Sequence, residues 1–162
     1  MLSLFKGLPQ EILVVVIAAL PIVELRGAIP YAMTVLHMSS WQALFWSILG
    51  NALPALVILY LLGPLQRLLQ RRLPASRKWF NWLYSRSHQR GQLISRYGAL
   101  GLFLFVAVPA PGTGAWTGCI VAFLLGLCPR QALLAVLGGI VLAGVVVTLA
   151  VSGTLTVFRN LI

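Results

Sequence analysis

Aspartate is absent from this 162-residue chain, and Glu11 and Glu24 are its only acidic side chains. Histidine is limited to His37 and His88, and cysteine to Cys119 and Cys128. The histidines are too far apart in sequence for a local metal motif and have no aspartate to assist them, so no catalytic metal site is expected. The cysteines lack the paired spacing of a metal or disulfide framework and read as buried thiols in or beside apolar segments. No adjacent histidine and acid supplies a nucleophile or general base, which disfavours a lipid phosphatase or another membrane enzyme. The sequence therefore predicts a protein that is not an enzyme and needs no cofactor.

What the chain has in quantity is hydrocarbon. Apolar residues make up 60% and charged residues 9%, with a mean hydropathy of +0.96, far outside the balance of a soluble domain. These values predict an all-α integral membrane protein whose length allows only a few spans. The net charge of +10 does not indicate nucleic acid, because Arg67, Arg71, Arg72, Arg77, Lys78, Arg86, Arg90 and Arg96 form one block between hydrophobic regions. The positive-inside rule places that block, 67–96, in the cytoplasm. Within it Leu65, Leu68 and Leu69, then Trp79, Trp82 and Leu83, have the spacing of amphipathic helices lying along an anionic leaflet. Lys6 precedes an apolar stretch as in a secretory signal, but no small-x-small cleavage pattern follows, so the N-terminus is expected to be retained.

Two apolar stretches, 41–62 and 132–152, are long enough to cross a bilayer. The regions before them are broken. Residues 11–20 and 28–37 flank "PIVELRG", and 97–108 and 115–127 flank "PAPGTG"; each piece reaches about half the hydrocarbon thickness if helical. Both regions read as re-entrant hairpins, with a kinked full crossing at 12–36 as the rival. A shift of 88 residues puts Pro21 on Pro109 and Gly50 on Gly138, and overlays Ser47, Asn51 and Ala55 on Ala135, Gly139 and Ala143. Each spanning helix thus carries a small-residue stripe for close packing. The expected architecture is a single membrane domain, 1–162, of two repeats, 11–63 and 97–153, joined by an interfacial linker at 64–96. With one crossing between hairpins, the repeats have inverted topology and both termini lie outside.

The hairpin tips hold the candidate chemistry. An ionised side chain at membrane depth costs at least about 2.5 to 3.5 kcal/mol, so Glu24 and Arg26 require a partner, a water-filled cavity or a function. Glu24 reads as a proton or cation coupling group and Arg26 as the grip on an anion, with Gly27, Pro30 and Asn51 beside them. In the second tip Pro109 and Pro111 interrupt helix, while Gly112, Thr113 and Gly114 expose backbone N–H groups before a new helix and form an anion nest next to Trp116. The Gly114 to Gly118 spacing is read as close helix packing.

"ELRGAIP", then "GNALP", then "FVAVPAPGTGAWTG" together resemble the prokaryotic small multi-drug export protein family over roughly residues 15–150. The paired hairpins are also distantly similar to the DedA membrane protein superfamily, whose members are implicated in moving polyprenyl phosphate carriers across membranes. That similarity covers the hairpin acid and arginine at Glu24 and Arg26, whereas "PAPGTG" has no acid where DedA-like proteins commonly have one. The resemblance implies a multi-pass protein of the prokaryotic cytoplasmic membrane. It favours an ion- or proton-coupled translocase of an anionic amphiphile such as a polyprenyl phosphate. The alternatives are an exporter of hydrophobic cations, lined by Glu24, Trp41, Trp46 and Trp116, and a nonenzymatic assembly factor. Expected partners are membrane lipids and an anionic lipid or small anionic solute, with a homodimer as a further option and no nucleic acid.

Overall fold

The computed structural model describes residues 9–72, 92–110 and 112–161, with side chains at 9–64, 97–110 and 112–157. All regular elements among the described residues are helices: α1 (Gln10–Ala19), α2 (Glu24–Thr34), α3 (Ser40–Arg72), α4 (Gln92–Ala107), α5 (Ala115–Leu124) and α6 (Pro129–Leu161). Two of them contain stretches long and apolar enough to cross a membrane, Ser40–Pro64 and Pro129–Val157. The large apolar side chains left exposed, such as Ile22, Trp41, Leu134 and Leu149, suit a lipid solvent.

Local chemistry explains where the helices begin and end. Ser39 and Gln42 form a capping box at the start of α3, the Gln42 side-chain oxygen accepting from the Ser39 N–H at 3.3 Å. Pro129 opens α6 at a position where its missing N–H costs nothing. Pro21 halts α1, and Leu20 turns out with its N–H on the Ile17 carbonyl. Two helices end in left-handed residues: after α2, His37 has φ 52, and after α5, Gly126 has φ 69. Gly98, at φ 56, breaks helical geometry inside α4.

The chain divides into two compact units. The first takes α1, α2, α3 up to Leu53, and α6 from Ile140. Its α1 lies directly on α3 at Gly50, where an added Cβ would strike the Val15 carbonyl oxygen and come 2.9 Å from the Ala18 Cβ. In the same unit α3 and α6 run antiparallel: Ser40 Oγ lies 3.3 Å from Ser152 Oγ, and a Cβ on Gly144 would sit 2.8 Å from Leu44 Cδ1. The second unit is Pro54–Gly139. Its α4 lies on α6 at Gly139, where a Cβ would come 2.9 Å from the Phe103 carbonyl oxygen and 2.7 Å from Val106 Cβ. Gly118 of α5 packs on α4, 2.7 Å from Val106 Cγ2 by the same measure, as the GxxxG spacing requires.

Two boundaries differ from the sequence reading. Helix α3 does not stop near residue 62 but continues through Pro64 to Arg72, so Leu65–Leu69 extend the long helix and form no separate interfacial helix. Leu, Gln and Arg are good helix formers, and the propagation of an existing helix needs no new nucleus. Trp79, Trp82 and Leu83 lie outside the described residues. The second difference is at "ELRG", which forms the first turn of α2 while the chain reversal takes place at residues 20–23.

Candidate functional site

In the first unit Glu24 stands where α2 begins. Its backbone N–H donates to the Leu20 carbonyl at 3.0 Å, which ties it to the end of α1. Its φ is 50, a left-handed conformation that a non-glycine residue rarely adopts. Its side chain is 6% exposed. Leu25, Ala28 and Ile29 bury the inner face of α2, and Arg26 is half-buried. Gly27 permits this turn, since a Cβ there would meet Val23 Cγ1. Pro30 lies inside α2 and has no N–H to give the Arg26 carbonyl four residues back.

Asn51 is 1% exposed on α3 of the same unit. Ser47, one turn earlier on the same face, is fully buried, and Thr148 on α6 is 7% exposed. The oxygens Ser47 Oγ, Asn51 Oδ1 and Thr148 Oγ1 are buried and have no hydrogen-bond partner. The sequence points to Asn51 at the site, but it presents Ser47 as a small packing residue and gives no signal at Thr148. Two polar residues four apart in an apolar span carried the signal. Two clefts of about 370 and 300 Å³ also open in this unit, the first lined by Met33, Thr34, His37, Leu155 and Thr156 and the second by Pro30, Thr34 and α6 side chains.

The second unit holds Pro109, Gly112, Thr113, Gly114 and Trp116, while Pro111 lies outside the described residues. Gly112 is exposed with φ 81, and a Cβ there would meet nothing within 4 Å. Gly114 is buried and caps α5, its carbonyl accepting the Gly118 N–H at 2.9 Å. The Thr113 hydroxyl lies 2.8 Å from the carbonyls of both Val108 and Ala110 and braces the turn. Its proton therefore serves the turn's own carbonyls, and any anion site here would use the backbone N–H groups at the start of α5.

Cys119 is buried and approaches the Ala55 carbonyl at 3.7 Å, whereas Cys128 is exposed, contrary to the reading of both as buried thiols. Position 128 immediately precedes α6 instead of lying on a packed face. Among the described residues no three His, Cys, Asp or Glu side chains are grouped to hold a metal ion.

Neither the curated proteins nor the solved structures provide a match to this chain. A family model described as "Putative small multi-drug export protein" matches residues 24–146, from the buried glutamate through both tips and most of α6. That match covers well over half of the sequence, and the chain belongs to the small multi-drug export protein family.

Proposed function

We propose that this protein is a coupled membrane transporter for an anionic amphiphile, a polyprenyl phosphate carrier being the type of substrate that fits. The carrying observation is the relation between Glu24 and Gly112. They are 88 residues apart, both have left-handed backbone, and one is a buried carboxylate while the other opens a Gly-rich tip. Helix starts support the same repeat to within one residue, α3 beginning at Ser40 and α6 at Pro129, and the α1 contact at Val15 and Ala18 recurs in α4 at Phe103 and Val106. Helices α1, α2 and α5 have 10, 11 and 10 residues. Each is about 15 Å long, half the hydrocarbon thickness, which supports re-entrant hairpins in inverted repeats.

In this reading Arg26 and the backbone N–H groups of the second tip receive the anionic group in turn, and Glu24 couples the movement to a cation or proton. The clefts beside Pro30, Thr34 and His37 combine apolar walls with hydroxyl and imidazole groups, which suits an amphiphile. The protein acts without covalent chemistry. The family description favours a second reading, export of hydrophobic cations. Proteoliposomes containing the full chain test the two: a fluorescent short-chain polyprenyl phosphate is expected to cross under an imposed pH or Na⁺ gradient, and ethidium is not. Ethidium movement that persists in Arg26→Met would establish the cation exporter, and movement of neither probe would leave an assembly role.

A further inference from the structure

Three buried oxygens in the first unit lack partners: Ser47 Oγ, Asn51 Oδ1 and Thr148 Oγ1. For a hydroxyl on an apolar helix the ordinary solution is a bond back to the carbonyl four residues earlier. Thr34, Thr154 and Thr156 of this unit all take it, at 2.7, 2.8 and 2.9 Å. Ser47 and Thr148 have the same option and do not use it. A buried polar atom left this way requires an explanation, and an ion or water is the physical one.

The three groups share one neighbourhood. Ser47 and Asn51 are one turn apart on α3, and a helical side chain leans toward the preceding turn, which brings the Asn51 amide over Ser47. Thr148 lies on α6 midway between Gly144, which packs on Leu44, and Ser152, which meets Ser40. Antiparallel register therefore sets Thr148 level with residues 42–44 of α3, about one turn from Ser47, and in antiparallel helices the two side chains lean toward each other's level. The Gly50 carbonyl adds a further oxygen, since Pro54 has no N–H to donate to it. Ala18 packs on Gly50, and the Leu20 carbonyl just beyond it accepts from Glu24.

We infer that Ser47, Asn51 and Thr148 form the binding site of a dehydrated alkali cation, Na⁺ by size and hardness, next to the Glu24 end of α2. The inference rests on the transporter reading and names its coupling ion. Oxygen-only ligands select hard cations. Neutral oxygens with a single nearby carboxylate suit one positive charge, whereas divalent ions gather several carboxylates. None of the three side chains titrates in the physiological range, so they serve an ion better than a proton. Charge balance agrees: Glu24 and Arg26 sum to zero, and a monoanion on Arg26 is offset by one Na⁺ beside Glu24. The positions 88 residues on from Ser47 and Asn51 are Ala135 and Gly139, and those 89 on are Val136 and Ile140; none carries a side-chain oxygen, so the cation function belongs to Ser47, Asn51 and Thr148 alone.

Thermal unfolding of the purified full chain in detergent tests this, with NaCl against choline chloride at equal ionic strength and pH. Na⁺ is expected to raise Tm saturably and choline is not. Asn51→Leu and Thr148→Val are expected to raise the half-saturating Na⁺ concentration about tenfold or more. Their Tm in choline is expected to stay level or rise, because each removes an unpartnered buried polar atom. Ser47→Ala, the smallest change, serves as the third variant, and folding is read in every case from the choline arm. Equal Tm in Na⁺ and choline for the parent chain overturns the site and assigns the three oxygens to water. A Na⁺ shift undiminished in all three variants overturns it too, by placing the ion elsewhere. The binding assay uses no transported substrate. A Na⁺ shift without transport of either probe therefore rejects the transporter reading alone, and transport without the shift rejects only this site.

Discussion

At the scale of the single residue, Glu24 is anomalous twice, being a buried acid and a non-glycine residue at φ 50. Left-handed backbone at such a residue costs about 1 to 3 kcal/mol, and Gly112 meets the same conformational demand at φ 81 without a Cβ. A purely structural turn would be served better by glycine, which supports the coupling role proposed for the carboxylate. Glu24→Gln is accordingly expected to leave the fold intact and abolish gradient-driven transport, with substrate binding partly retained. If Glu24 and Arg26 merely neutralise each other, the same change destabilises the protein by about 3 kcal/mol or more, and adding Arg26→Met restores both stability and activity. An active double variant would sink the coupling role. At Gly112 the constraint is the backbone, since nothing lies within 4 Å of a Cβ. Gly112→Val is expected to cost about 1 to 3 kcal/mol and most of the anion transport, while Gly112→Asn, tolerant of positive φ, keeps most of both. Unfolding curves and phosphate-lipid transport for the pair decide it, and full transport by a folded Gly112→Val protein removes this tip from the site.

At the scale of the element, close approach of backbones holds each hairpin to its long helix. Gly50→Ala and Gly139→Ala each drive a methyl group into a carbonyl oxygen of the packed helix, Val15 and Phe103 respectively, and are expected to destabilise by about 1 to 3 kcal/mol. Gly153→Ala meets nothing within 4 Å and is expected to be neutral or stabilising by up to about 1 kcal/mol. Thermal unfolding in one detergent checks all three, and equal effects at positions 50 and 153 would discount the contact. These elements were largely legible in the sequence, because small residues at helical spacing, Pro21 and the glycine pair around Thr113 all act through local sterics. Less was visible where tertiary context decides. Nothing local indicates a left-handed glutamate, so "ELRG" read as a loop and proved to be the start of α2. Ser47 looked like a packing residue and Thr148 gave no signal, because only their lack of a back-bond distinguishes them, and side-chain rotamers are not written in residue type. The extension of α3 past Pro64 was hidden by a proline that an established helix tolerates.

At the scale of the whole molecule, the decisive quantity is the number of times the chain crosses the membrane between two equivalent loops. The loop after α2 holds His37 at left-handed φ, and the loop after α5 holds Gly126 at left-handed φ with exposed Cys128 two residues on. If both hairpins re-enter, only α3 separates the two loops. One then faces outside and the other faces the cytoplasm, on the side fixed by the basic segment that follows α3. If both hairpin regions instead cross fully, a second crossing is added between the loops and they share a face. The native cysteines make the distinction direct, since Cys119 is buried and Cys128 is exposed. With Cys119→Ala, Cys128 is expected to react with an impermeant thiol reagent in inside-out vesicles and to be spared in right-side-out ones. Adding Cys128→Ser and His37→Cys is expected to reverse that pattern. Labelling of both positions from the same face would replace inverted repeats with two kinked crossings.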